Sequence, residues 1–306
     1  MKTRQISAWV LAGVVMSAAF TSCKKSDDVA SLPPIGGYNT SNEVAASNLL
    51  AHWTFDGTTS EDISKTASNG GSNNSFATGI KGQALQLNSG YLIYPTIAAL
   101  SSANAIPSVT VSTWVNTANN GKTASSIFAL TQALAAQDDW NRGPINMYID
   151  ANAHPASSDT LQLHSAFHSY QNGNFDVGGD NVTGFGLADA GKTYQVVKGA
   201  NKWIHYVMVY DGANSTIDLY ANNVLVSNST YRKRDRNGVP TGNIVLPTST
   251  QVLIGGWPSA STGYTKSPNQ TWQGLYTGSI DEIRVYNKVL TPAEIGSLYQ
   301  LELAGR

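Results

Sequence analysis

From Gly274 to Gln300 the chain alternates apolar and polar positions in a way that predicts strand, turn and helix in succession. Ile280, Ile283 and Val285 are apolar among polar neighbours, with an odd step across Asp281 and Glu282 of the kind a β-bulge produces. Thr291, Pro292 and Glu294 then supply an N-cap, a proline at the first helical position and an acid placed for a capping box. Ile295, Leu298, Tyr299 and Leu301 follow at helical spacing, which predicts one short helix with an apolar face for a sheet.

Upstream the period is two. Leu49, Ala51, Trp53 and Phe55 share one face, with His52, Thr54 and Asp56 on the other. Residues 57–75 are rich in Gly, Ser, Asn and Thr and predict a long loop, followed by paired strands at 84–87 and 91–94 joined through Asn88, Ser89 and Gly90. Further short strands are predicted at 109–115, 126–130, 145–150, 160–169, 203–210, 216–221, 224–226 and 252–255, with Asn222 and Asn223 as a tight turn. Trp114 stands alone on the polar face of its strand, open between core filling and a surface role. Many short strands and a single helix predict an all-β fold, a two-sheet antiparallel jelly-roll sandwich with one short C-terminal helix.

Composition agrees: charged residues are 13% of the chain and hydrophobic ones 41%, with 28 Gly and 14 Tyr, the balance of a turn-rich β protein with a substantial core. The N-terminus is a separate matter. Lys2 and Arg4 precede an apolar run from Ile6 to Phe20 that is too short to span a bilayer and reads as an export signal. It ends in Phe20, Thr21, Ser22 and Cys23, which resembles a bacterial lipobox, although Phe20 replaces the usual Leu. Residues 1–22 are therefore expected to be a signal peptide, and Cys23, the one cysteine, a lipidated anchor. Residues 23–47, with Pro33, Pro34, Gly36 and Gly37 at the centre, are expected to be a flexible tether with an end-to-end distance of roughly 25 to 30 Å. The folded domain is expected over 48–306. Lys24, Lys25, Ser26, Asp27 and Asp28 resemble a signal for the outer face of an outer membrane. Loss of Lys2 and Arg4 takes the formal charge from −1 to −3, which argues against nucleic acid and leaves the lipid as the membrane contact. A monomer is expected.

Five blocks fit one known pattern. HWTFDG at 52–57, VTVSTWV at 109–115, NKWIHYVMVYDG at 201–212, VLIGG at 252–256 and the closing strand and helix resemble laminin G-like jelly-roll domains of the concanavalin A-like lectin and glucanase superfamily. They stand in the family's order within residues 48–303, whereas 131–200 and 227–250 match nothing in it. The resemblance implies carbohydrate binding, hydrolysis of polysaccharide or protein adhesion, a choice that fold alone does not make. It also implies a structural calcium ion in some members. Asp56 and Asp281 lie on strands that are neighbours in the family, so they are the candidate Ca²⁺ ligands, against turn and bulge hydrogen bonding as the alternative.

Retaining hydrolases of this superfamily use two acids about 5 to 5.5 Å apart. Asp281 and Glu282 are adjacent on a strand and are expected to point apart, which disfavours them as such a pair. His164 and His168 share a strand face but lie roughly 13 Å apart along it, too far for one zinc, so hydrogen bonding in a cleft is expected of them. His52 and His205 read as core-edge histidines. The candidate ligand surface is aromatic: Trp140, Trp257, Tyr264 and Trp272 sit in polar, turn-rich stretches, where indoles can stack on sugar C–H faces. Asp138, Asp139, Asn141 and Arg142 surround Trp140 with partners for hydroxyls. The basic run Arg232, Lys233, Arg234 and Arg236 reads as a solvated loop, with an acidic glycan as the alternative partner. A non-catalytic, surface-anchored carbohydrate-binding protein is the expected function; a polysaccharide-degrading enzyme and a protein-binding adhesion module are the alternatives.

Overall fold

The computed structural model describes residues 32–150, 154–171, 173–184 and 194–306. The expected signal peptide, Cys23 and the first part of the tether lie outside them. In chain order the strands are β1 (Leu49–Trp53), β2 (Gly70–Thr78), β3 (Gln83–Tyr94), β4 (Val109–Thr117), β5 (Ala124–Gln132) and β6 (Ile145–Ile149). Next come β7 (Thr160–Leu161), β8 (Leu163–Gln171), β9 (Asn174–Val182), β10 (Val197–Lys198), β11 (Ile204–Asp211) and β12 (Thr216–Ala221). The remainder are β13 (Val224–Leu225), β14 (Asp235–Arg236), β15 (Val239–Pro240), β16 (Thr250–Ile254), β17 (Gln273–Gly274) and β18 (Tyr276–Tyr286), before helix α1 (Pro292–Leu303).

Their pairing follows one continuous order, β13-β12-β11-β4-β18-β3-β16-β5-β6-β8-β9, with β1 also on β18 and β2 on β3. The ribbon curls into two layers because β3 serves both. Its first half pairs with β18 through Gly90, and its last three residues pair with β16. The segment expected as two strands and a turn is thus one bent strand. Ser89 sits at φ 50° in the left-handed region, and the register with β18 slips there. Residues 70–75, expected as loop, belong to edge strand β2, held by backbone pairing with β3 while its side chains stay largely exposed. That polar strand has no apolar alternation to reveal it.

Between the layers lies the main core, which joins Trp53, Phe55, Leu85, Val111, Ile127, Phe128, Met147, Phe167, Tyr206, Met208, Ile280 and Ile283. Ile280 and Ile283 both face it although three residues apart. The bulge at Asp281 and Glu282 absorbs the odd step, and Glu282 adopts φ 49° to do so. A register shift between Leu49 and Ala51 turns Leu49 away from the face it was expected to share.

Helix α1 covers the other side of the first layer. Thr291 caps it through Glu294 in a complete capping box, with Pro292 at its start, as the sequence predicts. Ile295, Leu298 and Leu301 pack on Val207, Val209 and Tyr286, and Val44 joins them fully buried. Residues 34–47 are consequently not loose tether: Ile35 and Tyr38 pack on this cluster, and Ser41 accepts a hydrogen bond from Arg284 at 3.0 Å. Pro34–Arg306 make up one compact unit. Beneath α1 runs a buried ionic chain: Glu282 meets His52 (2.8 Å), Lys81 (3.2 Å) and Arg284 (2.6 Å), and Arg284 reaches Glu302 (2.7 Å). Trp114 donates its indole N–H to Glu302 at 2.8 Å and stacks on Tyr299, which settles it as a structural ring.

Candidate functional site

The outer face of the second layer is built by register. Ile93, Leu253, Ala129, Asn146, Ala166 and Asp180 form one row across β3, β16, β5, β6, β8 and β9. Tyr148 and His164 are cross-strand partners in a second row, and His168 faces Gly178 in a third. Loop 133–143 arches over the first row: Leu134 packs on the Ala129 side and Trp140 on Tyr148. Gln137, buried, holds the loop shape by accepting the Gln132 N–H at 2.8 Å and donating to the Asp139 carbonyl at 2.9 Å.

Trp140, Trp257 and Trp272 come together here, but they do not play one part. The three rings form an edge-to-face cluster with centroids 4.9 to 5.5 Å apart, and Tyr148 closes it at 4.9 Å from Trp257. Trp257 is 1% exposed and donates its N–H to the Ala124 carbonyl, so it supports the cluster and offers no face to solvent. Tyr264 is likewise buried, its hydroxyl against Thr131 at 2.7 Å. Trp140 and Trp272 remain partly exposed and form the ridge a ligand can touch.

The polar groups divide in the same way. Arg142 pairs with Asp138 at 3.0 Å on the surface, and Asp139 accepts the Asn141 N–H at 2.9 Å, an Asx turn that shapes the loop. His164 stacks on Tyr148 with its ring between Asp150 (2.7 Å) and Asp180 (2.9 Å). Burial disfavours its charge, but the two carboxylates outweigh that and raise its pKa to about 9, so it is an imidazolium at neutral pH. Burial pushes Asp180 upward, yet His164 and Arg234 hold it below the usual carboxylate range. His168 differs: burial lowers its pKa to about 4 against the pull of Asp180 and Asp139, and the neutral ring makes no hydrogen bond among the described residues. Asn146 is 4% exposed, and both its amide atoms lack a partner among the described residues, as the buried side-chain carbonyl oxygen of Asn141 also does.

Asp180 and Arg234 were missed as site residues, and Arg234 was assigned to solvent. It is only 18% exposed in its side chain and binds Asp180 at 2.7 Å. A signal existed in Gly178 and Gly179. A Cβ on the first would lie 2.5 Å from the His168 ring, and one on the second 2.6 Å from the Arg234 side chain, so both glycines admit a close approach within a strand. Arg232, by contrast, pairs with Asp218 through two bonds.

Asp56 and Asp281 do converge, on the turn from Gly79 to Gly82, but as acceptors of backbone N–H groups. Asp56 takes the N–H of Gln83 at 2.7 Å; Asp281 takes those of Ile80, Lys81 and Glu282 at 2.8 to 3.2 Å. Calcium wants six to eight oxygens, and among the described residues no three His, Cys, Asp or Glu side chains gather for a metal. Both carboxylates are taken up by the backbone N–H groups of this turn. Asp281 and Glu282 are also fully buried in the first layer, out of reach of any substrate.

A family model described as the concanavalin A-like lectin/glucanases superfamily matches residues 87–296. No curated protein sequence matches the chain. Among solved structures it is similar to the botulinum neurotoxin serotype G binding domain, at 12% identity over 83% of this chain and 51% of that one, with a TM-score of 0.53. The binding domain of botulinum neurotoxin DC in complex with SialylT gives 12% identity over 86% and 52%, with 0.51. Domain 4 of AbnA, a GH43 extracellular arabinanase from Geobacillus stearothermophilus in complex with arabinotriose, aligns at 18% identity over 83% and 98%, with 0.49. The chain spans about half the length of each toxin chain, and at these identities the likeness is one of fold.

Proposed function

Since the chain belongs to the concanavalin A-like lectin/glucanase superfamily, we propose that it binds carbohydrate, without cleaving it, on the outer face of its second layer. One observation carries this reading: the partly exposed indoles of Trp140 and Trp272 stand together, centroids 4.9 Å apart, on the outer face of the second layer. Flat apolar rings beside the polar groups of the Trp140 loop, Asp138, Asp139 and Arg142, suit a sugar, which offers a C–H face and hydroxyls together. The acids nearby are unsuited to hydrolysis. Asp150 and Asp180 both bind the His164 imidazolium, and glycoside cleavage needs one carboxyl protonated to serve as acid.

The test is calorimetric titration of the purified protein with glycans found positive on an array. Trp140→Ala and His168→Ala should each weaken binding by about 1 to 3 kcal/mol, the scale of losing an anchor. Unchanged affinity in both variants would remove the site from this face. We further propose that Cys23 is lipidated and holds the protein at the outside of the outer membrane. Cys23→Ala should then move it from the detergent phase to the aqueous phase on partition, and retention in detergent would refute the anchor.

A further inference from the structure

A second depression adjoins the ridge. It is a cleft of about 500 Å³, open mouth included, lined by Trp257, Ser261, Asn269, Gln270, Gln273 and Leu275. Its chemistry is uniform in one respect: none of its lining groups is charged. The Asn269 side-chain carbonyl accepts the Ser261 N–H at 2.9 Å, and that of Gln273 accepts the Gln270 N–H at 3.2 Å. Both carbonyls are thus committed to backbone, and the NH₂ of Gln273 has no partner among the described residues. Its wall ring, Trp257, is fixed through the Ala124 carbonyl at 3.1 Å.

The cleft and the His164 face meet at the same aromatic cluster. His164 touches it through Tyr148; the cleft touches it through Trp257 and, next to Gln273, Trp272. Around the first face Arg234 and His164 are answered by Asp180, and Arg142 by Asp138. An acidic sugar would find no cation among the groups lining the cleft, whereas an uncharged sugar would find amide donors there beside the partly exposed Trp272 ring. We propose that the cleft is a second sugar subsite, and that the two subsites together grip an internal stretch of an uncharged polysaccharide chain laid across the Trp140–Trp272 ridge. This rests on the carbohydrate reading above and adds to it the ligand's length and charge.

The experiment is titration of the purified protein with oligosaccharides of two to six units from glucan, mannan, xylan and arabinan, and with oligogalacturonides as the charged comparison. In the series that binds, the hexasaccharide should exceed the disaccharide at least tenfold in affinity, and oligogalacturonides should be weaker than both. Gln273→Ala should bring that ratio below twofold. Gln273→Glu, which keeps the acceptor for the Gln270 N–H while removing the NH₂, should do the same and guards against a folding defect, as does an unchanged melting temperature. Affinity flat with length, a ratio untouched by both variants, or preference for the oligogalacturonides would overturn the second subsite while leaving the Trp140 site standing. No binding to any neutral or charged series, in a protein that melts cooperatively, would overturn the carbohydrate reading and the subsite together.

Discussion

His164 makes stability depend on alkaline pH in a way that can be calculated. The folded ring has its pKa raised to about 9 by Asp150 and Asp180, despite burial, while an unfolded histidine titrates near 6.5. Across that interval the folded chain keeps a proton that the unfolded chain has lost. Its contribution is complete below pH 6.5 and disappears as pH rises through 9. Between pH 7 and pH 9 the linkage relation gives a loss of about 2 kcal/mol. The Asp180 side chain is 47% exposed, so solvent screening brings the expected value to about 1 to 2 kcal/mol. Urea unfolding at pH 7, 8 and 9, on the wild type and on His164→Gln, measures it. The wild type should lose that much more stability than the variant over the range. The comparison stops at pH 9 because buried tyrosines such as Tyr206 and Tyr276, with raised pKa values, lose stability on their own account from about pH 10. Parallel profiles for the two proteins would show that the Asp150–His164–Asp180 contact is absent in solution.

Other outcomes follow from the same geometry. Trp257→Ala should cost about 3 to 5 kcal/mol in chemical unfolding, as loss of a buried indole does, whereas Trp140→Ala, at the partly exposed end of the cluster, should cost clearly less; equal losses would refute the division of the cluster into support and ridge. Arg284→Ala leaves Glu302 buried without its cation and Glu282 with Lys81 alone, and should cost about 3 to 5 kcal/mol in the same assay, so a loss under 1 would mean water reaches the network. His168, with a folded pKa near 4 against 6.5 unfolded, contributes stability present above pH 6.5 and lost as pH falls toward 4; melting curves at pH 7 and pH 4.5 should separate the wild type from His168→Gln. Calcium at millimolar concentration should leave the melting temperature unchanged, and a rise abolished by Asp281→Ala would reinstate the ion at that turn.

The local grammar of the chain was enough for its elements wherever a side-chain period or a cap was at stake. Thr291, Pro292 and Glu294 announced α1, the odd step at Asp281 and Glu282 announced the bulge, and the alternation of Val109 to Val115 announced a strand, because these depend on neighbours within a few residues. Edge strand β2 stayed hidden, since backbone hydrogen bonds hold it and its polar side chains carry no pattern. The aromatic residues that gather at the site could be named from their polar settings, but which of them is exposed could not. Trp140 and Trp257 lie more than a hundred positions apart, and only the antiparallel stacking of β5, β6 and β16 with their loops decides which ring lies underneath. The same holds for charge. Nothing local marks Arg284 and Glu302 as buried, which they become only when helix α1 closes over the first layer, and Arg234 reads as solvated until Gly179 lets it lie against β9 beside Asp180. Burial and ion pairing are properties of surfaces brought together from distant parts of the chain, so they arise with tertiary packing and have no local signature.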